Sequence, residues 1–225
     1  IDTFLESGGG RFCLLDTAGI RRHGKWISPL ERQTVLRSLK AIDRADICLF
    51  LLDASVPFSR QDAHLAGYAF EAGKGVVIAG NKWDLVPRKK GMEEKFVRAV
   101  GDQIKFLREA PILPVSAATG IGTEELLPAV QALYRLTGSR TPTRRLNEAL
   151  QELVLGKNPS GHGGKPVKFF YITQTGTFPP TFTLFVNDPR RIHFSFHRYL
   201  INGLRESLNL RGVPIRIRFR ARRAG

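Results

Sequence analysis

Cysteine is nearly absent, with two residues in 225, and there are only one methionine and two tryptophans. A disulfide framework needs several paired, spaced cysteines. Cys13 and Cys48 instead sit in apolar runs, Phe12-Cys13-Leu14 and Ile47-Cys48-Leu49, and read as buried thiols of a reducing compartment. Long hydrophobic runs are missing too. The longest, Ile47 to Leu52, is stopped by Asp53, whereas a membrane-spanning helix needs about 20 such residues. No basic-then-apolar leader opens the sequence, so the expected location is cytoplasmic. It begins at Ile1, not Met, and is expected to be a piece of something longer. Acidic residues are the other shortage. Against 35 Lys+Arg stand only 20 Asp+Glu, a net charge of +15 that points to nucleic acid or another anionic surface as partner.

What is present is the composition of a globular chain, 42% hydrophobic and 24% charged, with room for two domains. The basic excess is uneven. Residues 141–225 hold 15 Lys+Arg and 4 Asp+Glu, a net of +11, while residues 1–140 hold 20 and 16, a net of +4. The polar stretch from Thr137 to Pro142 suits a linker, so the expected domains are 1–140 and 141–225.

In the first part, short apolar runs at Arg11–Asp16, Ile47–Asp53, Gly75–Ala79 and Ile112–Val115 alternate with helical patterns. These helices are expected near Ser28–Ile42, Asp62–Ala72, Lys95–Leu107 and Thr123–Tyr134. Apolar strands alternating with amphipathic helices predict a parallel sheet covered on both faces, with ligands at the strands' carboxyl ends. The second part reads helix, strand, strand, helix, strand at about Arg144–Leu155, Val167–Thr173, Phe182–Val186, Ser195–Leu208 and Pro214–Arg222. Gly156 to Pro166 reads as a flexible basic loop.

The strand ends carry the distinctive polar residues. Asp16-Thr17-Ala18-Gly19 follows the first run; an Asp there can hold magnesium through water, and Gly19 lets a backbone N–H approach a terminal phosphate. Such a tetrapeptide also fits an ordinary strand-to-loop turn. Asn81-Lys82-Trp83-Asp84 follows the Val-Val-Ile run. The two oxygens of Asp84 match the N1–H and exocyclic amine of guanine, a donor pair that adenine lacks. Asn81 can tie the loop and reach the purine, and the Lys82 stem can lie along the ring. Ser116-Ala117-Ala118 follows the fourth run, where the Ala117 N–H is expected to meet guanine O6.

Taken in this order, the three elements resemble the third, fourth and fifth motifs of a translation-factor-type GTPase. The stretch from Asp16 through Arg22 (DTAGIRR), then His23-Gly24-Lys25 and Val35 to Asp46, is similar to the EngA/Der family of bacterial ribosome-assembly GTPases. So are Phe178-Pro179-Pro180-Thr181-Phe182, Arg198-Tyr199-Leu200 and Gly212 to Ile217. That family has two tandem GTPase domains and a C-terminal KH-like domain, and the resemblance covers nearly the whole chain. It implies the back part of the second GTPase domain followed by the KH-like domain. It also implies GTP or GDP with Mg2+ as ligand, Asp16 to Ile20 among the nucleotide contacts, and ribosomal RNA and the large ribosomal subunit as partners, with no membrane.

Two departures matter. The phosphate loop Gly-x-x-x-x-Gly-Lys-[Ser/Thr] and the threonine-rich first switch do not occur in this sequence. These residues by themselves are therefore expected to bind nucleotide poorly. Where many GTPases place a water-orienting Gln, Ile20 stands. Hydrolysis would then lean on a monovalent cation, on backbone groups or on a partner, and no catalytic base is named.

The last strand alternates strictly. Ile215, Ile217, Phe219 and Ala221 point one way, and Arg216, Arg218, Arg220 and Arg222 the other. Residues two apart lie about 6.6 Å apart, close to the spacing of successive phosphates on one nucleic-acid strand. A solvated edge whose arginines discourage edge pairing fits equally well. Phe169, Phe170 and Tyr171 read as core. Gly161-His162-Gly163-Gly164 has the spelling of a KH clamp but falls between a helix and a strand, so it reads as linker. Three functions compete: a GTPase acting in large-subunit assembly, a nucleotide-independent RNA-binding adaptor with a GTPase remnant as scaffold, and a tRNA-modification or iron-transport GTPase. The third gives no reason for the basic tail.

Overall fold

The computed structural model describes residues 2–15, 38–58, 60–107, 109–156 and 166–222. The chain divides into two compact units, Ile1–Tyr134 and Arg135–Gly225.

The first unit opens with an antiparallel pair, β1 (Asp2–Ser7) and β2 (Gly10–Leu15), joined through Gly8 and Gly9. Their φ values of 56° and 75° make the two-residue turn that a right-twisted hairpin requires and that glycine adopts without strain. This corrects the sequence reading. The run at Arg11–Asp16 was expected within the parallel sheet, yet β2 pairs with β1 and belongs to a separate two-stranded sheet. Cys13 is corrected with it: the thiol is exposed on this hairpin, while Cys48 is buried as expected. Burial pushes the Cys48 thiol up to about 11, with Lys74 pulling weakly the other way. A thiol reagent at pH 8 should therefore label Cys13 in the folded chain and reach Cys48 only on unfolding. Equal labelling of both without denaturant would contradict this packing.

The parallel sheet has the order β3 (Ile47–Asp53), β4 (Gly75–Asn81), β5 (Ile112–Pro114). The central strand β4 is buried from Gly75 through Gly80, as its continuous apolar sequence dictates for a strand covered on both faces. Helices α1 (Arg60–Glu71), α2 (Met92–Gln103) and α3 (Leu126–Gly138) alternate with these strands. Ala66, Ala69, Val76, Ile78, Val100, Ile104 and Leu107 form one core cluster. The second helix starts before the expected Lys95 because Gly91, at φ 80°, begins it, and it ends at Gln103, with a separate 3-10 turn at Lys105–Leu107. Of the helix expected near Ser28–Ile42, only its end, helical over 38–44, lies among the described residues. The parallel register sets Asp53 opposite Asn81 and Gly80 opposite Pro114. All three carboxyl ends thus meet at one rim.

The second unit runs α4 (Thr143–Gly156), β6 (Phe169–Gly176), β7 (Thr181–Val186), α5 (Phe194–Ser207), β8 (Arg216–Ala221), the order read from the sequence. β7 is central, antiparallel to β6 and parallel to β8, with α5 as the crossover. Ile172, Phe182, Leu184 and Ile217 from the strands are buried, as are Leu146, Leu150, Phe196, Leu200 and Leu204 from the helices. The outer edge of β6 is closed by Asn147 of α4. Its amide accepts from the Ile172 N–H at 3.0 Å and donates to the Ile172 carbonyl at 3.1 Å. One side chain thereby satisfies an edge residue that would otherwise be open to strand addition.

Candidate functional site

At the rim of the parallel sheet, backbone bonds first stitch the loops together. Ala54 N–H donates to the Asn81 carbonyl at 2.8 Å, Val115 N–H to Gly80 at 2.9 Å, and Trp83 N–H to Val115 at 3.0 Å. Asn81 then works as a clamp. Its side-chain oxygen accepts from the Lys82 N–H at 2.8 Å and from the Ala117 N–H at 2.9 Å, joining the loops after β4 and β5. The loop-tying role expected of Asn81 is visible in these bonds. The Ala117 N–H, the donor expected to meet guanine O6, is the one that bonds the Asn81 side chain.

Asp84 lies in a 3-10 turn, Trp83–Leu85, entered through Lys82 in the left-handed region at φ 62°. A lysine seldom adopts that conformation, and its cost of about 1–2 kcal/mol needs compensation from the surroundings. Here it comes from both ends of the residue: the backbone N–H on Asn81 and the ammonium on Asp53. Ser116 is fully buried, donates its hydroxyl to one Asp84 oxygen at 2.5 Å, and accepts from the Thr119 N–H at 3.2 Å. This fixes the Asp84 carboxylate through one oxygen while the residue stays exposed. Trp83 packs edge-on against Phe96, with ring centroids 5.4 Å apart. Ala117 and Ala118 are exposed beside it.

The loop after Ser116 closes tightly. Ser116 N–H donates to Ile121 and Gly120 N–H to Ser116, each at 2.8 Å. Gly122 has φ +68°, and a Cβ there would stand 2.4 Å from the Pro114 carbonyl oxygen, so no other residue fits without moving β5. The glycine therefore helps hold Ser116 where it can hold Asp84.

Sequence reasoning missed Asp53. It ends β3 and binds the Lys82 ammonium at 2.7 Å. It also accepts from the backbone N–H and the hydroxyl of Ser55. The Lys82 bond, followed by Ser55, draws the Asp53 carboxyl down to about 2 from its ordinary 3.8. The available signal was an apolar strand stopped by a carboxylate, as in the Arg11–Asp16 run. A depressed carboxyl stabilises above its unfolded value and loses that contribution as pH falls through the folded one. Parent chain should thus lose stability between about pH 4 and 2 more steeply than Asp53→Asn. Acid-unfolding curves that superimpose would remove the pairing. The effect is small because both partners are partly exposed.

Asp16, Thr17, Ala18, Gly19 and Ile20, including the magnesium-holding role read for Asp16, lie outside the described residues. Among the described residues no cluster of three or more His, Cys, Asp or Glu side chains could hold a metal, and no helix is long and apolar enough to cross a membrane.

In the second unit, Arg216, Arg218 and Arg220 of β8 and the following Arg222 are all exposed, while Ile215 and Ile217 are buried. The alternation read from the sequence is therefore seen in burial through Arg218, while Phe219 is half-buried and Ala221, at the end of the strand, is exposed. Arg190 and Arg191 both bind Asp188, at 3.1 Å through their Nε atoms. Bonds from Arg190, side chain first, then backbone, and from Arg191 hold the Asp188 carboxyl near 2. The aromatics need a correction. Phe169 packs on Phe196 of α5 with centroids 5.5 Å apart, but Phe170 and Tyr171 are 39% and 41% exposed. A register shift between Phe169 and Tyr171 inserts a residue into β6, so Tyr171 pairs with Phe185 on the face opposite Phe169.

Comparison with known proteins agrees with both units. Residues 2–82 match the family described as 50S ribosome-binding GTPase, and residues 140–220 match the KH-domain-like C-terminal region of EngA bacterial GTPase enzymes. GTPase Der of Caldanaerobacter subterraneus subsp. tengcongensis is 42% identical over 215 residues, 96% of this chain and 49% of that protein. GTPase Der of Clostridium kluyveri is 40% identical over 223 residues, 99% of this chain and 51% of that protein. The class is thus a GTPase-type α/β domain followed by a KH-like domain. Within it, the chain belongs to the EngA/Der family of GTPases. It spans about half the length of the curated relatives it matches.

Proposed function

We propose that this chain supplies the guanine-recognition half of a GTPase and the ribosomal-RNA-docking surface of a cytoplasmic factor in large-subunit assembly. The observation that carries the first part is the Ser116–Asp84 and Asn81–Ala117 pair of bonds, which holds one carboxylate ready for two guanine donors. On guanine binding, Asp84 would accept from N1–H and the exocyclic amine, Lys82 would lie along the purine, and the Ala117 N–H would be shared with O6. Magnesium belongs to the nucleotide's phosphates and would neutralise their charge. Asp16, whose oxygen chemistry suits that ion, is the residue that the sequence offers for it. Ile20 cannot orient water, so hydrolysis would draw on backbone groups, a monovalent cation or a partner.

The second part is supported by the exposed arginine row and the net +11 of residues 141–225. Such a factor would couple nucleotide state to docking. The test is GTP turnover by a protein carrying this chain behind a phosphate loop, with and without large ribosomal subunits. Turnover that responds to the subunits supports the reading. RNA binding that persists with no measurable GTP binding would favour the nucleotide-independent adaptor instead.

A further inference from the structure

The face of the second unit's sheet that carries the arginines also carries aromatic rings. Tyr171, Phe185 and Arg220 form one cross-strand row, because Tyr171 pairs with Phe185 and Phe185 with Arg220. The Tyr171 and Phe185 rings are stacked, with centroids 4.3 Å apart and planes 17° from parallel. The inserted residue at Phe170 brings a third ring to this face, and the Arg222 guanidinium lies 5.0 Å from its centroid. Farther along, the face closes. Thr183 is 4% exposed, and its hydroxyl meets that of Thr175 at 3.1 Å. The open part is therefore compact: three aromatics and two arginines at the end of β7 and β8 and the start of β6.

We infer that this cluster is a stacking platform for unpaired bases of a single-stranded RNA segment, with the phosphates running along the arginines of β8. Two independent features select that ligand. Phe170 and Tyr171 are exposed, Tyr171 is stacked on the half-buried Phe185, and such rings offer π-surface to bases that a duplex keeps hidden in its own stack. The β8 arginines, about 6.6 Å apart, match the spacing of the phosphates along one strand. The inference rests on the RNA-docking reading above and sharpens it from backbone charge to base contact. It also differs from a KH clamp, which grips RNA with a Gly-x-x-Gly loop between helices.

The experiment compares binding of a single-stranded RNA of about twelve nucleotides, and of the same RNA annealed to its complement, to the full chain and to variants. Tyr171→Leu should weaken single-strand binding by about five- to a hundredfold, leave the salt slope unchanged, and leave duplex binding alone. Tyr171→Phe should retain parent affinity, since the ring remains. In the unmutated chain, RNA containing photoactivatable 4-thiouridine should crosslink to peptides spanning Phe170–Tyr171 or Phe185, a readout that survives if Tyr171→Leu fails to fold. Tyr171→Leu binding like parent while Arg218→Gln/Arg220→Gln lowers the salt slope would overturn the platform and keep the docking reading. An unchanged slope in the arginine variant would overturn the docking reading itself. Crosslinks confined to other segments would overturn the platform as well.

Discussion

Asp84→Asn should move base preference from guanine toward xanthine nucleotides. In the proposed site the carboxylate would accept two donors from guanine, whereas an amide can accept only one and offers a donor in place of the other acceptor. Xanthine carries a carbonyl where guanine has its amine, so it suits the amide. Loss of a charged, paired acceptor costs roughly 2–4 kcal/mol, or about 30- to 1000-fold in affinity. The measurement is GDP and XDP affinity for a protein carrying this chain behind a phosphate loop, parent beside variant. Ser116 donates to the same carboxylate, and an amide oxygen can still accept that bond, so the loop after β5 should stay folded. Unchanged GDP affinity would show that Asp84 does not touch the base.

Arg218→Gln/Arg220→Gln should act elsewhere and differently. Each neutralised phosphate contributes about 0.7–0.9 to the slope of log affinity against log salt, so losing two lowers that slope by roughly 1.5. At 0.1 M salt the same change corresponds to about thirtyfold weaker RNA binding. Both side chains are exposed, on the opposite face from Ile217, so folding should be unaffected. Guanine-nucleotide binding should also be unaffected, because the residues proposed for it belong to the other unit. A salt titration of ribosomal-RNA binding decides it. An unchanged slope would reduce the arginine row to a solvated edge that blocks strand pairing.

Much of this was legible in the sequence, for a physical reason. A strand buried on both faces must be continuously apolar, so Gly75 to Ala79 announced β4, and the polar residues after it announced the rim. The order of elements in the second unit and the alternation of β8 followed from the period of two. What was not legible has equally definite causes. β1 is exposed along its whole length and leaves no burial pattern to read. Its pairing with β2 depends on two glycines with positive φ. The placement of Tyr171 on the outer face depends on one inserted residue, which a strict alternation cannot foresee. Asp53 meets Lys82 only because the lysine backbone turns left-handed, a feature that no propensity assigns to lysine.

The central claim is that the rim at Asn81, Asp84 and Ser116 selects guanine. Competition against a fluorescent GDP, on a protein carrying this chain behind a phosphate loop, tests it most directly. Unlabelled GDP should displace the probe about a thousandfold or more better than ADP, because adenine offers neither donor to Asp84 and leaves that carboxylate unpaired. Displacement by ADP at the same concentrations as GDP would contradict the account.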